Sequence, residues 1–191
     1  MKNICMRRSA FVLGLCLLTA MAVAAPQKKQ PATTQPTVDE KMFTRLDSGT
    51  TGISFANISA WESIEGGGVA IGDLNNDGLP EIFFGGTEVP DRLYLNLGNM
   101  QFKDISEILG AGRGQYSTGV TMADVNNDGF LDLYVCKLKN QNTLYLNNGD
   151  LTFLHQTNRF GIGHNGQAVQ SAFFDYDKDG RLDLVVAIRD N

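Results

Sequence analysis

Cysteine is nearly missing wherever it could act as a staple. Two of the three cysteines, Cys5 and Cys16, fall in the first 25 residues, and Cys136 stands alone in the remainder. One remaining thiol allows no intrachain disulfide. Histidine is as scarce: His155 and His164 are the whole supply, and their spacing matches no zinc site. Positive charge is short too, with 16 Lys and Arg against 21 Asp and Glu and a formal net charge of −5. Such a balance argues against nucleic acid or an anionic membrane surface as partner. No apolar run reaches the roughly 20 residues that a membrane span requires. Catalytic patterns are missing as well. Nothing resembles a nucleophile elbow, and GAGRGQ at 110–115 misses the dinucleotide pattern because Gln115 stands at the third glycine position.

What is present begins with a leader. Residues 1–25 carry a basic start (Lys2, Arg7, Arg8), an apolar stretch from Ala10 to Ala24, and small residues at Ala22 and Ala24 before Ala25. That is the pattern of a secretory signal peptide. Cys16 in LGLC is a poor lipoprotein site, because Leu15 is bulky where processing wants a small residue. Cleavage removes three positive charges and no negative one, which takes the net charge from −5 to −8. The expected location is therefore exported: periplasmic, extracellular or at the cell surface, with no membrane span left in the mature chain. Residues 26–41 come next, rich in Pro, Gln, Thr and Lys and without apolar periodicity, and read as a flexible linker.

From residue 42 onward the chain repeats itself. DLNNDGLPE, DVNNDGFLD and DYDKDGRLD begin at Asp73, Asp124 and Asp175, 51 residues apart each time. The register extends to GVAIGD, GVTMAD and SAFFD before the loops, to EIFFGG, DLYVCK and DLVVAI after them, and to RLYLNLGNMQF against TLYLNNGDLTF. Each unit reads as four short strands, in the first unit about 68–72, 81–86, 92–96 and 100–105, with NLGN or NNGD as a tight hairpin. Four strands per unit at this period predict an all-β chain of propeller blades. The blades span 68–118 and 119–169, with a partial one over 170–191. Two and a half blades cannot close a ring, so the expectation is an incomplete propeller, a fragment completed by further blades or by self-association. FTRLDSGTTGISF, from Phe43, resembles the blade endings that start at Phe102 and Phe153, which predicts an outer strand within 42–60 that would complete the last blade of a closed ring.

The loops follow D-x-[DN]-x-D-G-x-x-[DE]. Calcium takes six to eight oxygens, and its loops place carboxylates at alternate positions, a glycine at position 6 and a main-chain carbonyl at position 7. Side-chain oxygens would come from Asp73, Asn75, Asp77 and Glu81, from Asp124, Asn126, Asp128 and Asp132, and from Asp175, Asp177, Asp179 and Asp183. The carbonyls of Leu79, Phe130 and Arg181 would complete the three sets. An EF-hand needs Glu at position 12 and a following helix, whereas position 12 here is Phe84, Val135 or Val186 inside strand-like runs. Closure at position 9 suits two strands joined by the loop. Magnesium fits less well, since it demands octahedral geometry and keeps several waters.

GGGVAIGDLNNDGLPEIFFGG, RLYLNLGN, STGVTMADVNNDGFLDLYV, NTLYLNNGDLTF and QAVQSAFFDYDKDGRLDLVV resemble the FG-GAP or VCBS-type repeats of integrin-like β-propellers, most closely bacterial ASPIC/UnbV-type proteins. The resemblance spans about Phe43 to Asn191 and implies Ca2+ at the positions just named. It departs from many relatives in lacking an ASPIC/UnbV module. Function is expected to be binding or adhesion toward protein or glycan, without catalysis. The alternative is a segment of a secreted polysaccharide-processing enzyme whose active site lies elsewhere. Trp61, Arg113, Tyr116 and His164 are candidates for a ligand face. Cys136 on an apolar strand reads as a core residue, and GGG at 66–68 as a close-packed strand entry.

Overall fold

The computed structural model describes residues 2–5, 44–57, 67–110 and 116–189. Most of the expected leader, the linker, Trp61 and Arg113 lie outside the described residues. Two compact units are distinguished, Arg7–Arg45 and Leu46–Asn191 together with Met1–Met6. The second unit contains all three repeats.

Strand β1 (Lys2–Cys5) comes first in the chain. The first repeat then forms β2 (Val69–Gly72), β3 (Glu81–Phe84), β4 (Arg92–Asn96) and β5 (Phe102–Asp104). The second forms β6 (Ser117–Ala123), β7 (Asp132–Lys137), β8 (Thr143–Asn147) and β9 (Phe153–His155), and the third β10 (Ala168–Phe174) and β11 (Asp183–Ile188). Each complete repeat is a four-stranded antiparallel sheet in chain order, β2-β3-β4-β5 and β6-β7-β8-β9. The expected blades are thus present as all-β sheets, and they do not close into a ring. Hairpin chemistry sets the β4–β5 turn, where Gly98 and Asn99 take φ of 78° and 52° and Leu97 N–H donates to the Gln101 carbonyl at 2.8 Å.

Period-two alternation on β7 decides how the sheets stack. Leu133 and Val135 join Leu74, Phe83, Leu93 and Tyr145 in a core between the first two blades. Tyr134 and Cys136 point the other way, into a core with Leu144, Leu146 and Ala168, flanked by Phe173 and Leu184 of the third. Blade two is therefore covered on both faces, and every residue of β7 and β8 is buried. On β3, by contrast, buried and half-buried positions alternate. Cys136 is fully buried, and desolvation pushes its thiol up to about 11. Once the leader with Cys5 and Cys16 is removed, the native protein should therefore leave a disulfide reagent such as DTNB unreacted at pH 8, and react once denatured; rapid reaction in the native state would contradict this burial.

First strands lie closest together across blades. A Cβ on Gly68 would sit 2.6 Å from the Thr118 carbonyl, and one on Gly119 would sit 2.5 Å from the Val169 carbonyl. Gly68 is thus a close-packed strand entry, as expected. Thr118 Oγ1 reinforces the second contact by donating to the Ala168 carbonyl at 2.7 Å.

Two features differ from expectation. No strand forms over the described residues 44–57. Instead Asp47 caps a single helical turn, Ser48–Thr51, closed by Gly52 in the left-handed region. The likeness to the blade endings survives in that turn, since Ser106–Leu109 and Thr157–Phe160 are also single turns closed by a left-handed glycine. The segment then packs on blade one, with Phe55 stacked on Phe84 at 5.0 Å and Asn57 accepting from Thr87 N–H at 3.0 Å. That blade has its own outer strand in β5. The second difference is β1, the start of the expected leader, which pairs antiparallel with β11 from Lys2↔Ile188 to Cys5↔Val185. It takes the position that β4 and β8 hold in their sheets, where an unpaired row of N–H and C=O groups would otherwise stand.

Candidate metal-binding loops

Each acidic loop leaves the end of a blade's first strand and returns into its second, so all three share one end of the blades. Tyr116, which lies under Lys139 Nζ at 3.9 Å, and His164, whose carbonyl accepts from Asn142 N–H at 2.9 Å, belong to the opposite end. The loops and these two candidate ligand-face residues are therefore separate.

One set of hydrogen bonds recurs in all three loops. The first aspartate accepts from the N–H groups of positions 5 and 6: Asp73 from Asp77 and Gly78 at 3.1 and 2.8 Å, Asp124 from Asp128 and Gly129 at 3.1 and 2.8 Å, Asp175 from Asp179 and Gly180 at 3.1 and 3.0 Å. The position-3 side chain (Asn75, Asn126, Asp177) accepts from position 5. The position-5 aspartate accepts from the N–H of position 7, which is Leu79, Phe130 or Arg181. Position 6 needs glycine for its backbone alone, because a Cβ on Gly78, Gly129 or Gly180 would meet nothing within 4 Å, yet φ is 85°, 89° and 81°.

The closing carboxylate at position 9 works inward as well. Glu81 is fully buried, accepting from Leu74 N–H at 2.8 Å and Asn96 N–H at 3.4 Å. Asp132 accepts from Val125 and Asn147 N–H, both at 2.9 Å, and Asp183 from Tyr176 N–H at 3.0 Å. Burial raises the Asp132 carboxyl to about 6, against the pull of those two hydrogen bonds, and the charges of Asp128 and Asp124 push it the same way. Burial also raises Glu81, with Asp77 and Asp73 adding to it. Negative charge is thus concentrated at an electrostatic cost, which a cation would relieve.

The donor set fits such an ion. In the third loop, carboxylate oxygens of Asp175, Asp177 and Asp183 lie within 4.8 Å of one another. Oxygens each about 2.3–2.6 Å from one calcium ion are at most roughly 5 Å apart. Asp179 is outside that group, and the Arg181 guanidinium holds its Oδ2 at 2.6 Å. In the first two loops the matching oxygen is taken by an amide, Asn75 Nδ2 on Asp77 and Asn126 Nδ2 on Asp128, at 2.9 and 2.7 Å.

Sequence reasoning missed two groups. Asn147, 2 % exposed, reaches 73 residues back to donate to the Leu74 carbonyl at 2.6 Å. At the opposite end, Asp91 and Lys137 are both buried and attract each other; desolvation raises the one and lowers the other, and Asp91 also accepts from Gly86 N–H at 2.8 Å. The signal for Asp91 was present in its alignment with Asn142, which accepts from Lys137 N–H in the same way.

Sequential four-stranded antiparallel sheets, stacked through their first strands and each carrying an aspartate-rich loop between its first two strands, define a β-propeller repeat protein. The chain belongs to the FG-GAP-like repeat family, whose model matches residues 73–135 and 124–186. It is similar to cartilage acidic protein 1 of Homo sapiens, 29% identical over 133 residues, which is 64% of this chain and 20% of the relative. The protein of that name from Xenopus tropicalis is 30% identical over 119 residues, 60% of this chain and 18% of the relative. The chain therefore spans about a fifth of the length of the curated relatives it matches. Among the described residues, no helix is long and apolar enough to cross a membrane.

Proposed function

We propose that this chain is an exported, calcium-binding segment of a β-propeller, acting as a non-enzymatic binding or adhesion scaffold for protein or glycan. The convergence of Asp175, Asp177 and Asp183 carries the reading, and the hydrogen-bond frame repeated around three loops supports it. The ion would be held by Asp73, Asn75, Asp77 and Glu81 in the first loop and by the equivalent residues in the others. It supplies neutralisation and cross-linking in place of disulfides. Export is supported by the leader pattern and location outside the cell by similarity to cartilage acidic proteins. The wider motif pattern suits the ASPIC/UnbV-type subclass. Leader removal would free the β11 edge for the third strand of a following repeat or of another copy.

Calorimetric titration with calcium tests the site. Up to three ions per chain are expected, one fewer after Asp175→Asn with Asp177→Asn, and little heat from magnesium. A chain that binds no calcium overturns the reading. A glycan array beside a hydrolase panel tests the scaffold role, and turnover of a polysaccharide would overturn it.

A further inference from the structure

We propose that Asn76 and Asn127 are positioning residues that couple neighbouring loops, so that loading one loop with its cation raises the affinity of the next. The proposal rests on the calcium reading above. Both residues stand at position 4 of their loops, where no ligand role falls to them, and both are exposed with left-handed φ of 58° and 59°. Asn76 Nδ2 donates to the Gly129 carbonyl, at position 6 of the second loop, at 3.0 Å. One repeat later, Asn127 Nδ2 donates to the Gly180 carbonyl of the third loop at 3.5 Å.

The acceptor is a telling one. The peptide that carries the Gly129 carbonyl presents its other side, the Phe130 N–H, to Asp128 Oδ1 at 2.9 Å. One planar unit is thus held between a candidate ligand of its own loop and the side chain of the preceding loop. The Gly180–Arg181 peptide is held in the same way by Asp179 Oδ1, at 2.9 Å, and Asn127. Moving Asp128 onto an ion moves that peptide, and the hydrogen bond transmits the shift to the turn that shapes the first loop. Because a peptide is rigid and planar, little of that motion is absorbed along the way.

A second, buried path joins the first two loops. Glu81 Oε2 accepts from Leu74 N–H at 2.8 Å, the Leu74 carbonyl accepts from Asn147 Nδ2 at 2.6 Å, and Asn147 N–H donates to Asp132 Oδ1 at 2.9 Å. The two closing carboxylates are therefore connected through two residues. Two paths and a shorter Asn link make the first pair of loops the more strongly coupled. Repulsion between two bound cations opposes this coupling, but salt near 0.15 M screens it over about 8 Å, while hydrogen bonds act at contact.

The test is an NMR calcium titration of the full chain in about 0.15 M salt, following the amides of Gly78, Gly129 and Gly180 to obtain a midpoint for each loop. Silencing the third loop with Asp175→Asn and Asp177→Asn should weaken the second about threefold, and silencing the first with Asp73→Asn and Asp77→Asn should weaken it about fivefold. Asn127→Gly keeps the left-handed backbone without strain while deleting the donor, and should abolish the first effect. Asn76→Gly should reduce the second, leaving the part carried by Asn147. A donor that served only to stabilise the fold would lower all midpoints alike and leave the dependence on a neighbour's loading intact. Saturable binding whose midpoints ignore the neighbouring loop, or coupling that both glycine variants leave undiminished, overturns this proposal alone. Calcium that shifts none of the three amides overturns the cation reading with it.

Discussion

Calcium at about 10 mM should raise the melting temperature by roughly 10–20 °C over the same protein in EDTA, a shift that magnesium should not reproduce. Extracellular calcium modules bind at about 0.1–1 mM, so at this concentration each loaded site contributes on the order of 1.5–2.5 kcal/mol by mass action. Three sites sum to several kcal/mol, comparable with the whole stability of a small domain. Electrostatics within the loops acts in the same direction. Asp132 is raised to about 6 by burial and by Asp128 and Asp124, so its ionised form opposes folding until a cation sits among these groups. Scanning calorimetry in calcium, magnesium and EDTA decides the matter, and coincident transitions in all three would remove calcium from the account of stability.

Gly119→Val should be the most damaging single substitution in the inner strands, costing about 3 kcal/mol or more. A Cβ there would stand 2.1 Å from Gln170 Oε1, 2.5 Å from the Val169 carbonyl and 2.8 Å from the Gln170 Cα. A side-chain oxygen can swing away, but the two main-chain atoms can yield only if the second and third blades separate. Separation would pull Ala168 and Phe173 from the Tyr134 and Cys136 core and break the Thr118–Ala168 hydrogen bond. Gly78→Ala is the informative contrast. Open space surrounds Gly78, so only its φ of 85° is at issue, and the cost should be about 1 kcal/mol. Chemical denaturation of the two variants at equal calcium measures the difference, and equal losses would refute the close-packing account.

Much of the fold was legible along the chain, because the devices that specify a blade are local. Alternating residues made strands of EIFF and DLYVCK, and the Asn-Gly chemistry of NLGN closed a hairpin. A 51-residue register then multiplied each weak signal by its recurrence. The N-terminal segment shows where locality ends. FTRLDSGTTG carries the letters of a blade ending, and the helical turn at Ser48–Thr51 forms, but the segment packs on blade one, whose outer strand is β5, rather than forming a strand over the described residues. Similarly, nothing in the leader's composition hints at the pairing of Lys2–Cys5 with β11, which covers the edge of that strand.

By itself the sequence determined the blade as the unit, its period, and the residue types gathered in the acidic loops, since turn chemistry and period-two patterning act within a few residues. Only the tertiary structure decided which face of β7 meets which blade. It also decided that Asn76, Asn127 and Asn147 reach from one loop region to another. Those outcomes join residues up to 73 positions apart. They depend on how sheets stack, which is set by the fit of one buried face against another rather than by the preference of any short segment.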